Sequence, residues 1–298
     1  MLNFLISRFI GYVPKPIVKK VSTRYIAGAK LDDAIRVIRA LNGSNALATV
    51  DVLGEFVNTT EQVTLSMAHD IEVLDTFFRE HVLSNLSIKL TSLGLNIDYE
   101  LCCRNVKKIL ECATQYNNFV RMDMEDSSCT RKTLDVYKRM RSEGFTNTGV
   151  VLQAYMRRSA ADIDALPREN LNVRLCKGIY IEPESIAYKG YEEVRNNYKL
   201  LLRKLIDTGA YVGIATHDEA LIQDAYALIN ERNLPKTAYE FQMLLGVREE
   251  RRSQIIRDGH RMRVYVPFGD DWYGYSTRRL KENPQIAMNV VKSLFGIS

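Results

Sequence analysis

The run Tyr211-Val212-Gly213-Ile214-Ala215-Thr216-His217-Asp218 begins apolar, turns polar at its end, and gives way to a different rhythm. Residues 218–231 carry helical spacing, and 239–245 return to a short β-rich run. A strand, a crossover helix and a second nearly continuous apolar strand make one β-α-β unit with parallel strands.

The same alternation extends through most of the chain. β-rich runs fall at 47–55, 86–92, 118–124, 149–156, 173–179, 211–216, 239–245 and 262–267, eight in all. Helical stretches lie between them at 60–79, 99–116, 130–143, 191–207 and 218–231, with a shorter one at 159–165. Gly144, Gly209 and Gly259 each stand where a helix must stop before the next strand. Eight such units within 298 residues point to the α/β class and a (β/α)8 TIM-type barrel. With no linker or low-complexity tract, 1–298 reads as one domain, a helical region over 1–42 followed by the barrel over 43–298.

Bulk composition narrows the function. The chain is 46% hydrophobic and 26% charged, and its net charge of +5 comes without a long basic run, which argues against nucleic acid as a partner. Five cysteines with no Cys-x-x-Cys spacing argue against a disulfide framework and for a reducing, cytoplasmic setting. Residues 1–31 hold six Lys or Arg and no acid, which suits a surface helix and leaves weak peripheral contact with the inner face of a membrane open.

Barrels place function where strands end, and the polar residues at those ends are unusual. They are Asp51 and Glu55, then Lys89, Asp123 and Glu125, Gln153, Arg174 and Lys177, Tyr180, Thr216-His217-Asp218, Glu240 and Gln242, and Tyr265. Charges set in apolar strands are costly unless paired or used, so a ring of them marks a polar ligand pocket. Near the C-terminus, helical spacing would put Tyr275, Arg278, Arg279 and Glu282 on one face, as a fork for a small anion beside a tyrosine wall.

Three chemistries compete. The scattered His69, His81, His217 and His260 make a metal centre a poor fit, although a carboxylate-bound magnesium stays open. Lys89 or Lys177 would serve as a Schiff-base nucleophile, but the surrounding cations suit an anionic substrate or a phosphate-bearing cofactor better. Neither a Rossmann nor a Walker glycine loop is present.

Read together, the segments resemble the proline dehydrogenases. These are Ser87-Ile88-Lys89-Leu90, Arg121-Met122-Asp123-Met124-Glu125, Val151-Leu152-Gln153-Ala154-Tyr155 and Val173-Arg174-Leu175-Cys176-Lys177-Gly178-Ile179-Tyr180. Ala215-Thr216-His217, Tyr239-Glu240-Phe241-Gln242-Met243-Leu244-Leu245-Gly246, Val264-Tyr265-Val266-Pro267-Phe268-Gly269 and Tyr275-Ser276-Thr277-Arg278-Arg279-Leu280-Lys281-Glu282 complete the set. The resemblance is to the short, monofunctional bacterial form. It implies FAD as cofactor, L-proline as substrate, and a quinone or other membrane acceptor for the electrons. A C-terminal helix is expected over the active site.

Site roles follow from the same resemblance. Arg278 and Arg279, helped by Lys89, would hold the proline carboxylate, with Glu282 steadying an arginine. Tyr180, Tyr265 and Tyr275 would pack around the pyrrolidine ring, and Tyr275 would fill the space a 4-hydroxyl needs. Asp123 would join the catalytic hydrogen-bond network, and Arg174 would approach flavin N5. Met124, Gln153, Lys177, Gly178, Ile179, Thr216, His217 and Gln242 would contact FAD, with Glu240 as a further lining residue. Asp123 and bulk water both stand as acceptors of the amine proton. Cys176 and Ile179 depart from the valine and alanine common in the family, and Cys176 is expected only to pack. Arg24-Tyr25-Ile26-Ala27-Gly28 resembles the N-terminal helical region of the short forms.

Overall fold

The computed structural model describes residues 23–54, 57–273 and 275–276. Its strands are β1 (Leu47–Val52), β2 (Ser84–Ile88), β3 (Val120–Met122), β4 (Thr148–Gln153), β5 (Asn172–Cys176), β6 (Tyr211–Ala215), β7 (Tyr239–Leu244) and β8 (Met262–Phe268). They pair in parallel in sequence order and close into a barrel through β1 and β8. Helix α1 (Leu31–Gly43) precedes β1, and α2 (Thr60–Arg79), α3 (Tyr99–Gln115), α4 (Ser127–Ser142), α5 (Ser159–Ala165), α6 (Tyr191–Asp207), α7 (Glu219–Glu231) and α8 (Glu249–Arg257) connect the strands.

Local chemistry sets these boundaries. Thr59, Asp98, Asp126 and Asp218 cap α2, α3, α4 and α7 by accepting hydrogen bonds from backbone N–H groups of the first turn. Gly144, Gly209 and Gly259 follow their helices with φ of 94°, 74° and 81°, as expected of glycine stops. Asn45, Asn117 and Asn233 adopt the left-handed conformation after α1, α3 and α7, a use that asparagine tolerates better than most residues.

The apolar core lies between the barrel wall and the helices. Ala48, Val50, Leu86, Ile88, Val120 and Val150 are wholly or almost wholly buried there, together with helix residues such as Ile38, Leu74 and Ile109. The inner face of the barrel is polar. Asp51, Arg121, Arg174, Glu240 and Arg263 alternate along their strands with those outward-facing residues.

Two expectations change. Residues 23–30 contain no helix. Ala27 N–H donates to Pro267 O at 2.9 Å and Gly269 N–H to Gly28 O at 2.9 Å, so this segment is strapped to the end of β8. Backbone partners on β8 replace the intrahelical bonds that the helical reading assumed. Lys89, Asp123 and Lys177 stand one residue beyond their strands rather than within them. The expected C-terminal helix lies outside the described residues, apart from a helical beginning at Trp272–Tyr273 and Tyr275–Ser276. Glu55 also lies outside them. No helix among the described residues is long and apolar enough to cross a membrane.

Asp70 on α2 is 5% exposed, and burial pushes its carboxyl well above the usual range, helped by the charge of Asp51. A raised carboxyl favours folding below the unfolded value and loses that contribution as pH rises through the folded one. Asp70→Asn should therefore raise the melting temperature at neutral pH, with the gain vanishing below about pH 4. An equal gain at both ends of that range, measured by calorimetry, would contradict the assignment.

Candidate active site

The C-terminal ends of the strands enclose a cavity of about 570 Å³, within the usual range for small-molecule sites. Its floor is a hydrogen-bonded group drawn from β2, β5, β8 and the residue after β3. Asp123 Oδ1 accepts from Arg174 Nη1 at 2.8 Å and from Ser87 Oγ at 2.7 Å, and Oδ2 accepts from the Tyr265 hydroxyl at 2.7 Å. The Arg174 guanidinium also lies 5.3 Å from the centre of the Tyr265 ring. Burial raises the Tyr265 hydroxyl well above its usual pKa, and the charges of Asp123 and Asp51 add to this, so the phenol stays a donor.

Beside this group Lys89 pairs with Asp51. Burial pushes the Asp51 carboxyl up, the Lys89 charge opposes that, and Asp123 adds to it. Thr91 donates to Glu125 through both its N–H and its hydroxyl. Gln153 Nε2 donates to the carbonyls of Met124 and Glu125 at 3.4 and 3.3 Å, tying the end of β4 to the loop after β3.

The opposite rim is organised by Asp218. Its carboxylate accepts from Arg195 at 2.7 and 2.8 Å and from the Tyr191 hydroxyl at 2.8 Å, with Lys177 Nζ at 3.4 Å. Burial alone would raise this carboxyl, but the hydrogen bonds from Arg195 and Tyr191 and the nearby cations outweigh it and hold it far below the usual range. Thr216 Oγ1 accepts from Asp218 N–H at 3.1 Å, and His217 Nε2 accepts from Leu244 N–H at 2.9 Å. That last bond leaves the ring proton of a neutral His217 on Nδ1.

Gly178 forms part of the wall with φ of 102°, and a Cβ there would stand 2.1 Å from Cδ1 of Tyr155. Gly178→Ala should destabilise the fold by at least about 1–2 kcal/mol, the cost of a left-handed non-glycine residue. A thermal melt unchanged from wild type would contradict this.

Most residues expected at the site converge on this cavity. Lys89, Asp123, Met124, Gln153, Arg174, Lys177, Gly178, Ile179, Tyr180, Thr216, His217, Gln242, Tyr265 and Tyr275 all line it. Glu240 does not. It lies deeper on β7, where it pairs with Arg263 at 2.7 Å and accepts from Gln242 Nε2 at 2.6 Å. Cys176 lines the cavity as well as packing. Arg278, Arg279 and Glu282 lie outside the described residues.

Sequence reasoning missed Tyr25, which reaches the cavity from the N-terminal strap, and the Tyr191–Arg195 pair. Their i, i+4 spacing at the start of α6 was the available signal for the pair.

A family model described as proline dehydrogenase matches residues 34–292, nearly nine-tenths of the chain. The chain belongs to the proline dehydrogenase family. It is accordingly an oxidoreductase. Proline dehydrogenase 2 of Bacillus subtilis strain 168 is 40% identical over 261 residues, covering 88% of this chain and 86% of that protein. The proline dehydrogenase of Deinococcus radiodurans is 34% identical over 278 residues, covering 92% and 90%.

Among solved structures, proline utilization A from Bdellovibrio bacteriovorus, inactivated by N-propargylglycine, superposes with a TM-score of 0.84 at 25% identity. That match covers 89% of this chain and 33% of the other, so the chain spans about a third of that protein. Proline utilization A from Bradyrhizobium japonicum shares the fold, with a TM-score of 0.75 at 20% identity over 88% of this chain and 31% of that one.

Proposed function

We propose that the protein oxidises L-proline to Δ1-pyrroline-5-carboxylate with FAD in this cavity, as the first step of proline catabolism. Arg174 carries this reading. Its guanidinium is buried on the cavity wall, and its Nε has no partner among the described residues although Nη1 is held by Asp123. A buried donor without an acceptor suits a ligand that brings acceptor atoms and negative charge, as a flavin does. Lys177 with Gly178 and Ile179, together with Gln153, Met124, Thr216, His217 and Gln242, would hold the rest of the cofactor. FAD held there would supply a hydride acceptor for the hydrogen on proline C5, with a quinone-type acceptor as the destination of the electrons.

The side chains then position and polarise. Asp123 receives three hydrogen bonds, so its first task is to fix Arg174 and Tyr265 rather than to take the amine proton. Lys89, with Arg278 and Arg279, would fix the proline carboxylate, and Tyr180, Tyr265 and Tyr275 would confine the ring. Lys177 supports a cofactor role over a Schiff-base one, because its ammonium group is held between Asp218 and the Tyr191 ring, 5.1 Å from its centre.

The test is proline-dependent reduction of a dye acceptor by FAD-supplemented protein. Reduction is expected with wild type and strongly weakened in Arg279→Ala. A protein that binds proline but reduces no acceptor would be a sensor rather than an enzyme.

A further inference from the structure

Among the described residues, three of the cations inside the barrel each meet one carboxylate, and a fourth does not. Lys89 pairs with Asp51, Arg174 with Asp123 at 2.8 Å, and Arg263 with Glu240 at 2.7 Å. The fourth cation is Arg121 on β3, only 2% exposed. Among the described residues it forms no ion pair. Nη1 donates to the Val150 and Asn172 carbonyls at 3.1 and 3.0 Å, and Nη2 donates to Asn172 Oδ1 at 2.5 Å. Its Nε has no partner there, and the Phe119 ring centre lies 4.9 Å away.

Arg121 is the middle residue of β3 and stands two residues before Asp123, which follows the strand, about 7 Å along extended chain. We propose that Arg121, a buried charge with no carboxylate bonded to it among the described residues, lies beneath the cavity floor and raises the reduction potential of the flavin bound above it. This rests on the FAD reading.

The physical case has three parts. First, burial and the neighbouring Arg174 push the Arg121 guanidinium down only to about 9, so it stays charged at neutral pH. Second, Arg174 is hydrogen-bonded to a carboxylate, Asp123, whereas every acceptor bonded to Arg121 is neutral, and Glu240, the carboxylate whose charge reaches it, is already paired with Arg263. Third, the site is shielded from salt, so a charge there acts on the cavity with little screening. Reduction adds negative charge to a flavin, and a fixed cation below the floor favours the form that carries it.

A purely structural role, tying β3 to β4 and β5, is the competing account. Asn172→Asp separates the two. It keeps the acceptor that Nη2 already uses, but supplies Arg121 with the missing carboxylate. Arg121→Gln removes the charge, and Arg121→Lys keeps it.

The potential of the bound flavin would be read by equilibration with a reference dye. Asn172→Asp and Arg121→Gln should each shift the reduction equilibrium against the reduced form by roughly tenfold, about 30 mV for a two-electron couple. Arg121→Lys should stay near wild type. A wild-type potential in Asn172→Asp overturns the proposal even if Arg121→Gln does not fold. A potential in Arg121→Lys as low as in Arg121→Gln overturns it too. Failure of the cofactor reading would appear earlier and separately, as wild-type protein that takes up no flavin in its visible spectrum.

Discussion

Asp123→Ala should cost about 3–5 kcal/mol of stability, because it strands a buried guanidinium without its carboxylate. The Arg174 side chain is only 7% exposed, and Ser87 Oγ at 3.2 Å is the neutral acceptor left to its Nη1. Ser87 and Tyr265 lose their acceptor in the same step. Proline turnover should fall by at least about a hundredfold, the scale of removing one fixed electrostatic contact from an active site. Asp123→Asn keeps one acceptor oxygen and turns the other position into a donor, so it should fold better than the alanine variant while still turning over slowly. Denaturant titration and steady-state kinetics check the two halves of this expectation. An alanine variant as stable as wild type would mean that Asp123 does not hold the floor together.

The second large effect is expected at Asp218, which caps α7, accepts from Arg195 and Tyr191, and faces Lys177. Loss of the cap costs about 1 kcal/mol, and loss of hydrogen bonds to a charged group about 1.5–3 kcal/mol more. Asp218→Ala should therefore lose roughly 2.5–4 kcal/mol and loosen the rim that positions Lys177. The pH profile carries a specific sign. A depressed carboxyl contributes stability that is complete above the unfolded value and is lost as pH falls through the folded one. The gap between wild type and Asp218→Asn should stay constant at neutral and mildly acidic pH and narrow only below about pH 4. A gap that closes near neutrality would contradict the assignment. Asp70 has the opposite sign, so the two acids can be told apart in one set of melts.

What the sequence made legible follows from the physics of parallel strands. Runs such as Tyr211–Ala215 are nearly all apolar because helices cover them, and polar residues at their ends then stand out. The spans of α2, α5 and α6 were readable from end to end for the same reason. Helix α8 was not, because in Glu249–Arg257 only Ile255 is buried, which leaves no apolar period to detect.

The polar barrel interior was only half visible. Residues facing the cavity could be picked out strand by strand, but the partners Lys89–Asp51 and Arg263–Glu240 come from different strands that only closure of the barrel brings together. Arg121 looked like part of a motif, and its lack of a carboxylate appears only once all three neighbouring pairs are placed. The strap at 23–30 was misread as helix because its backbone partners, Pro267 and Gly269, are far away in sequence. Arg278, Arg279 and Glu282 remain supported by their motif alone.

The central claim is that this cavity holds a flavin which proline reduces. The direct measurement is the visible absorbance spectrum of the FAD-supplemented protein while L-proline is titrated in without oxygen. The expected result is a flavin spectrum that bleaches in proportion to proline, and bleaches far more slowly in Asp123→Ala. A protein that takes up no flavin, or whose flavin spectrum stays unchanged under excess proline, would contradict it.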